Sequence, residues 1–224
     1  MQQLVLELAP PQAPTFASYI PGRNAGAVKA LECALAEGER FVYLWGPSGS
    51  GKSHLLQSFA EAASAIRRSV YLSAARPDWE SAADAQAVAV DNVSLLDQAG
   101  QIALFDLYNR LQVKGGSLAA SGDAPPDGLT LRPDARSRLA SGIVLQLHPL
   151  SDAEKTAALR SRAKDRGIAL GEDLIGYLLT HFRRDMGTQI AVLDALDRHS
   201  LEHKRPVTLP LLKDALRSLD RESR

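Results

Sequence analysis

The 224 residues include a single cysteine, Cys33, so neither an internal disulfide nor a cysteine-based zinc cluster is available. An excess of charge is missing as well: 26 Lys and Arg stand against 26 Asp and Glu. This balance excludes a whole-surface electrostatic grip on DNA and leaves room only for a local basic patch. No apolar run approaches the roughly 18–20 residues that a bilayer-spanning helix needs. The N-terminus, Met1-Gln2-Gln3-Leu4-Val5-Leu6, has no basic segment ahead of an apolar core, so it is not a secretory signal. Aromatic residues are scarce, at 5% of the chain. These absences favour a cytoplasmic protein without membrane contact. What is present suits a folded chain: 45% of residues are hydrophobic and 23% charged. The length fits one or two domains of about 100–200 residues each.

Three segments differ in pattern. Residues 1–14 read as a flexible leader, because Pro10, Pro11 and Pro14 prevent regular structure. Within it, Leu4, Leu6 and Leu8 share one face if the segment is extended. Residues 15–149 read as one α/β domain, within which residues 41–145 alternate between short apolar runs and helical patterns. Phe41–Trp45, Val70–Leu72, Val88–Val90, Leu118–Ala120 and Ile143–Leu145 read as strands. Ser53–Ala65, Gly100–Val113 and about Pro133–Ala140 read as helices between them, and Ala27–Ala36 as one ahead of them. In that first helix Cys33 is expected as a small core residue. Strand alternating with helix predicts an α/β fold: a five-stranded parallel sheet in three layers, covered on both faces. Residues 150–224 read as helix only, a small bundle. Ser151-Asp152-Ala153-Glu154 is a capping box that starts a helix ending near Arg166, with Gly167 as its left-handed stop. Glu172–Phe182, about Met186–His203 and Leu209–Leu219 are the further helices.

The strongest chemical signal is Gly46-Pro47-Ser48-Gly49-Ser50-Gly51-Lys52-Ser53, a full GxxxxGK[ST] match between a strand and a helix. Glycines let backbone N–H groups curl around phosphate oxygens, and the helix N-terminus adds positive partial charge. Lys52 is placed to reach the terminal phosphates, and the Ser53 hydroxyl to ligate Mg²⁺. Asp91 ends the apolar strand Ala87–Val90 and is the candidate acid of the Mg²⁺ shell, acting through water. The following residue is Asn92, where many P-loop ATPases carry a second acid. An amide orients water but does not accept its proton, which predicts weak or no ATP hydrolysis by the chain itself.

On these and further residues the chain resembles the DnaA/Hda family of AAA+ proteins, its Hda members most closely. Gln3–Leu8 resembles their sliding-clamp-binding motif. Thr15–Gly22 is similar to the segment leading into the nucleotide pocket, which implies that Tyr19 and Ile20, with His54 beside the loop, line the cofactor site. Leu104–Leu111 is Hda-like. Ser121–Pro126 resembles the sensor I region, with Asp123 the first candidate and Ser121 the second. Ala135–Leu139 resembles the arginine-finger region, with Arg138 the candidate and Arg136 its alternative. Gly187 stands where the family's sensor II arginine is expected. Either Arg184 substitutes or the lid does not touch the phosphates.

The resemblance implies an AAA+ P-loop domain followed by a helical lid. It implies ADP or ATP with Mg²⁺ as cofactors, and DnaA and the β sliding clamp of DNA polymerase III as partners. Gln3, Leu4, Leu6 and Leu8 would hold the clamp, and Arg138 would promote hydrolysis of DnaA-bound ATP to prevent re-initiation. DNA and the nucleoid would be reached only through these partners, and a homo-oligomer remains open. The competing expectation is a helicase loader or DNA-stimulated ATPase. Residues 75–86 disfavour it, being short and lacking the basic track and stacking aromatics of a strand-binding groove.

Overall fold

A computed structural model describes residues 13–36, 40–182 and 186–214. They fall into two compact units, Ala13–Pro149 and a second that starts at Leu150. In the first unit, α1 (Ala25–Leu35) precedes β1 (Phe41–Trp45), α2 (Lys52–Ser64), β2 (Ser69–Ser73) and β3 (Ala87–Asp91). Then follow α3 (Gln98–Lys114), β4 (Ser117–Gly122), α4 (Pro133–Ala140) and β5 (Ile143–Gln146). The five strands are all parallel, in the order β2-β3-β4-β1-β5.

Alternation along each strand builds the three layers, because successive side chains leave opposite faces. Val42, Leu44, Ala87, Ala89 and Ala119 pack with Leu31 of α1 and Leu55, Leu56 and Phe59 of α2. Tyr43, Val88, Val90, Leu118 and Ala120 pack on the other face with Leu104, Tyr108 and Leu111 of α3 and Leu139 of α4. Alanine is a weak β-former, yet Ala87–Val90 is fully buried in the sheet interior. Burial on both faces overrides propensity there. The short connection between β2 and β3 is held by Arg110, which donates to Ala82 O at 2.6 Å and Ala85 O at 3.0 Å.

One core expectation fails. Cys33 is exposed. The buried stripe of α1 is Ala27, Leu31 and Ala34, and Cys33 lies about 200° around the helix from Leu31.

The second unit contains α5 (Asp152–Asp165), α6 (Glu172–His181) and α7 (Met186–His203). Residues 209–214 are helical too, and the rest of the helix expected to 219 lies outside the described residues. The capping box forms: Glu154 N donates to Ser151 Oγ at 3.2 Å, and Ser151 N donates to Glu154 Oε2 at 2.8 Å. Gly167 takes the left-handed conformation, φ 69°, just past α5. Leu159, Ala163, Leu174, Leu178, Leu193 and Leu196 form the core. Beside it Arg162 makes a two-pronged contact with Asp194, at 3.1 and 2.7 Å, and Arg166 reaches Asp194 and Asp197 at 3.2 and 3.1 Å. Among the described residues no helix is long and apolar enough to cross a membrane.

Two substitutions check this packing. A Cβ at Gly142 would sit inside van der Waals contact of the Phe41 carbonyl. Gly142→Ala should therefore cost about 1–3 kcal/mol, lowering the thermal midpoint by roughly 2–4 °C per kcal/mol. Ser151→Ala should cost about 1 kcal/mol through the lost cap, and Ser151→Asp should restore it. Unchanged midpoints in thermal unfolding would show that these contacts do not bear on stability.

Candidate nucleotide-binding site

The loop from Gly46 to Ser53 leaves β1 and enters α2 at the carboxyl edge of the sheet, where open α/β folds bind ligands. Two glycines make its path possible. Gly51 has φ 93°, and a Cβ there would lie 2.7 Å from the Tyr19 ring. Gly46 has φ 154°, and a Cβ there would run into the Leu147 carbonyl. The loop is thus pressed between Tyr19 and the segment just past β5, and neither glycine could carry a side chain there. The Ser50 hydroxyl is buried and has no hydrogen-bond partner among the described residues. A buried donor without a partner marks a place for an acceptor such as a phosphate oxygen. The Lys52 ammonium closes the loop, donating to Gly46 O at 2.6 Å and Pro47 O at 2.9 Å. Burial lowers its pKa, partly countered by the charges of Asp91 and Asp123.

The N-terminal segment forms one wall. Thr15 and Ser18 cap a single 3-10 turn, Phe16–Ser18. The His54 Nε2 lies 3.1 Å from Thr15 O and 3.4 Å from Ser18 Oγ, and the rings of His54 and Tyr19 are 5.4 Å apart. Tyr19 OH donates to Ser50 O at 3.4 Å, and burial raises the Tyr19 pKa. Ile20, the next residue, is half-buried.

The acidic side gathers at the ends of β3 and β4. Ser121 Oγ donates to Asp91 Oδ1 at 2.5 Å and accepts from Asn92 N at 2.9 Å. Tyr71 OH donates to Asp91 Oδ2 at 2.8 Å. The Tyr71 pKa is raised, first by burial and then by that carboxylate. Asn92 sits in the left-handed region, φ 62°, a conformation asparagine tolerates better than most residues. Of the two sensor I candidates, Ser121 is fully buried and bonded to Asp91, whereas Asp123 accepts from the Ser94 hydroxyl. The charge of Asp123, after burial, also raises the Tyr43 pKa, and the Tyr43 hydroxyl donates to Ala124 O at 2.8 Å.

The donor set fits the phosphates of a nucleotide with their ion. Backbone N–H groups, the Ser50 hydroxyl and Lys52 suit phosphate oxygens, and the exposed Ser53 hydroxyl and the Asp91 carboxylate are hard oxygen donors for Mg²⁺.

The two candidate fingers differ in setting. The Arg138 guanidinium lies 5.4 Å from the Phe105 ring centre and 5.3 Å from that of Tyr108. Tyr108 OH shares a 2.7 Å hydrogen bond with Ser141 Oγ, which donates to the Arg138 carbonyl at 2.8 Å. Arg138 is therefore braced at both its backbone and its head. The Arg136 guanidinium donates to Asp127 O at 3.5 Å. Gly187 lies in the first turn of α7. Arg184 and the leader residues Gln3, Leu4, Leu6 and Leu8 lie outside the described residues.

Sequence reasoning missed Tyr71 and Asn24. Tyr71 reads as one more apolar strand residue, and Asn24 as an unremarkable residue before a helix. Only the spacing of Tyr71 before the strand end hints at a reach toward Asp91.

Known structures share this architecture. The chain is similar to domain III of the replication initiation protein DnaA from Thermotoga maritima, with 19% identity and a TM-score of 0.70 over 94% of this chain and 98% of that one. It is similar to a replication initiator DnaA bound to AMPPCP and single-stranded DNA, with 22% identity and a TM-score of 0.66 over 85% and 67%. A Thermotoga maritima RuvB variant aligns with 18% identity and a TM-score of 0.62 over 94% and 72%. The fold, with its phosphate loop and helical second unit, is that of an AAA+ P-loop protein. Residues 152–216 match the family described as Hda, lid domain. The Hda lid match thus covers the second unit, and the likeness of the whole chain to these structures is one of fold.

Ser121→Ala would leave Asn92 N and one side of Asp91 without their partner. It should cost about 1–3 kcal/mol in chemical unfolding. A variant as stable as the parent would show that Ser121 does not organise the acidic side.

Proposed function

We propose that this chain is a DnaA-related regulator of replication initiation that holds an adenine nucleotide, ADP in its resting form, and acts on ATP bound to DnaA. The observation that carries the nucleotide reading is the cradle itself: two glycines that a Cβ would obstruct, an orphaned Ser50 hydroxyl and Lys52 at the start of α2. The DnaA reading is supported by the Hda lid match and by structural neighbours that include a DnaA bound to AMPPCP.

The residues divide the work. Backbone N–H groups of Gly49–Ser53 and the N-terminus of α2 bind phosphate oxygens. Lys52 exchanges the Gly46 and Pro47 carbonyls for phosphate oxygens. Ser53 and, through water, Asp91 hold Mg²⁺, which neutralises phosphate charge. Tyr19, Ile20 and His54 wall the site on the N-terminal side. Asp123 or Ser121 reads the phosphate end. Asn92 offers no proton acceptor, so the bound nucleotide is a structural ligand. Arg138 acts in trans, placing positive charge on the γ-phosphate of a DnaA-bound ATP. Gln3, Leu4, Leu6 and Leu8 dock on the β sliding clamp and raise the local concentration of the protein at DNA.

Two experiments test this. ADP at about 100 times its Kd should stabilise the fold by roughly 2.7 kcal/mol, and Lys52→Ala should abolish the gain. An unchanged thermal midpoint with ADP would sink the structural-ligand idea. With clamp loaded on DNA, the protein should accelerate hydrolysis of DnaA-bound ATP. Arg138→Ala should remove roughly 10³-fold or more of any acceleration that depends on a finger. Leu4/Leu6/Leu8→Ala should remove the dependence on the clamp. No acceleration by the parent protein would reject the regulatory role, and DNA-stimulated hydrolysis by the chain alone would favour the loader.

A further inference from the structure

Both oxygens of the Asp91 carboxylate accept hydrogen bonds from hydroxyls of the same chain. Ser121 Oγ occupies Oδ1 at 2.5 Å, and Tyr71 OH occupies Oδ2 at 2.8 Å. The two donors play different parts. Ser121 belongs to β4 next to Asp91, is fully buried, and is itself held by Asn92 N at 2.9 Å. It is a rigid anchor that sets the plane of the carboxylate. Tyr71 comes from β2, where Ser73 is the register partner of Asp91 and Tyr71 the partner of Ala89. One residue pair earlier on the same face, its ring packs against the core under α2 and reaches diagonally to the second oxygen.

A carboxylate has about four lone-pair sites, and each donated proton draws negative charge from the oxygen that accepts it. Mg²⁺ demands an ordered octahedral shell and gives up its own waters reluctantly, so it is sensitive to the charge of the acid that holds it. Removing an orienting donor normally loosens a metal site. Here the orientation is already secured by Ser121, so loss of the Tyr71 hydroxyl changes charge more than position.

We propose that Tyr71 is a positioning residue that weakens the Mg²⁺ site: its hydroxyl occupies Asp91 Oδ2 and lowers the affinity of the nucleotide pocket for the divalent cation. The proposal rests on the nucleotide reading above and gives that pocket a regulation of its own. A pocket with a weakened ion site and a neutral Asn92 keeps its nucleotide without being driven to turn it over.

The test follows ion affinity rather than activity. The full chain with saturating ADP is titrated with Mg²⁺ while its thermal midpoint is recorded, and with Mn²⁺ while free ion is followed by electron paramagnetic resonance. Tyr71→Phe keeps the ring and its packing, and should lower the half-saturating ion concentration roughly three- to tenfold. Tyr71→Leu, which removes the ring as well, should shift it in the same direction, after normalisation to each variant's ion-free midpoint. Asp91→Asn should abolish the ion-dependent increment. An unchanged or higher half-saturating concentration in Tyr71→Phe overturns the proposal, as does movement of the two Tyr71 variants in opposite directions. If ADP raises the midpoint of none of the proteins, with or without ion, the nucleotide reading itself falls; if ADP binds and only the ion titration fails to shift, the role of Tyr71 alone falls.

Discussion

The phosphate-loop cradle hangs on one buried amide. Asn24 is 4% exposed and uses its side chain to join two segments far apart in sequence. Its Nδ2 donates to His148 O at 2.7 Å and to Tyr19 OH at 3.2 Å, and its Oδ1 accepts from His148 N at 2.9 Å. Tyr19 and Leu147, the neighbour of His148, are the two groups that press on Gly51 and Gly46. Both sides of the loop are therefore set by one residue. A buried amide left unpaired would cost more than it contributes when paired, so the arrangement holds as a unit.

The chemistry of the pocket follows from which charges are kept and which are absent. Lys52 is the cation, and burial lowers its pKa while Asp91 and Asp123 oppose that shift. Asp91 is braced by two hydroxyls, and Asn92 next to it is neutral. The loop offers donors suited to phosphate oxygens, and Asn92 adds no proton acceptor beside Asp91. Arg138 belongs to another part of the same unit, where two aromatic rings and Ser141 pre-order it. Pre-ordering lowers the entropy that an arginine loses when it meets a partner's phosphate. The same unit thus carries a phosphate-loop cradle in one place and a braced arginine in another.

The second unit is stabilised differently. Its helices share a leucine-rich core, and Arg162 and Arg166 converge on Asp194 and Asp197 beside it. Asp194 is 13% exposed on its side chain, so its two arginines satisfy a charge that water reaches poorly. Gly187 opens the last of its long helices without a side chain to offer a nucleotide. Whatever this unit contributes to ligand recognition, an arginine at that position is not part of it.

Much of this was legible in the residues alone. The five strands, the capping box at Ser151, the left-handed stop at Gly167 and the limits of α4 and α7 follow local rules of period, cap and turn, which act between neighbours in sequence. The GxxxxGK[ST] spacing marked the loop for the same reason, since its function is performed largely by consecutive backbone groups. Cys33 was misplaced because period alone did not settle which stripe of α1 is buried; the packing of Ala27, Leu31 and Ala34 did. Tyr71 on Asp91, Asn24 on His148 and the bracing of Arg138 were beyond reach, because each joins side chains from segments distant in sequence. The sequence determined the elements and the phosphate loop, whose causes are local. Only the tertiary structure decided which hydroxyls hold the acid and what presses on the loop, because strand order and register bring those groups together.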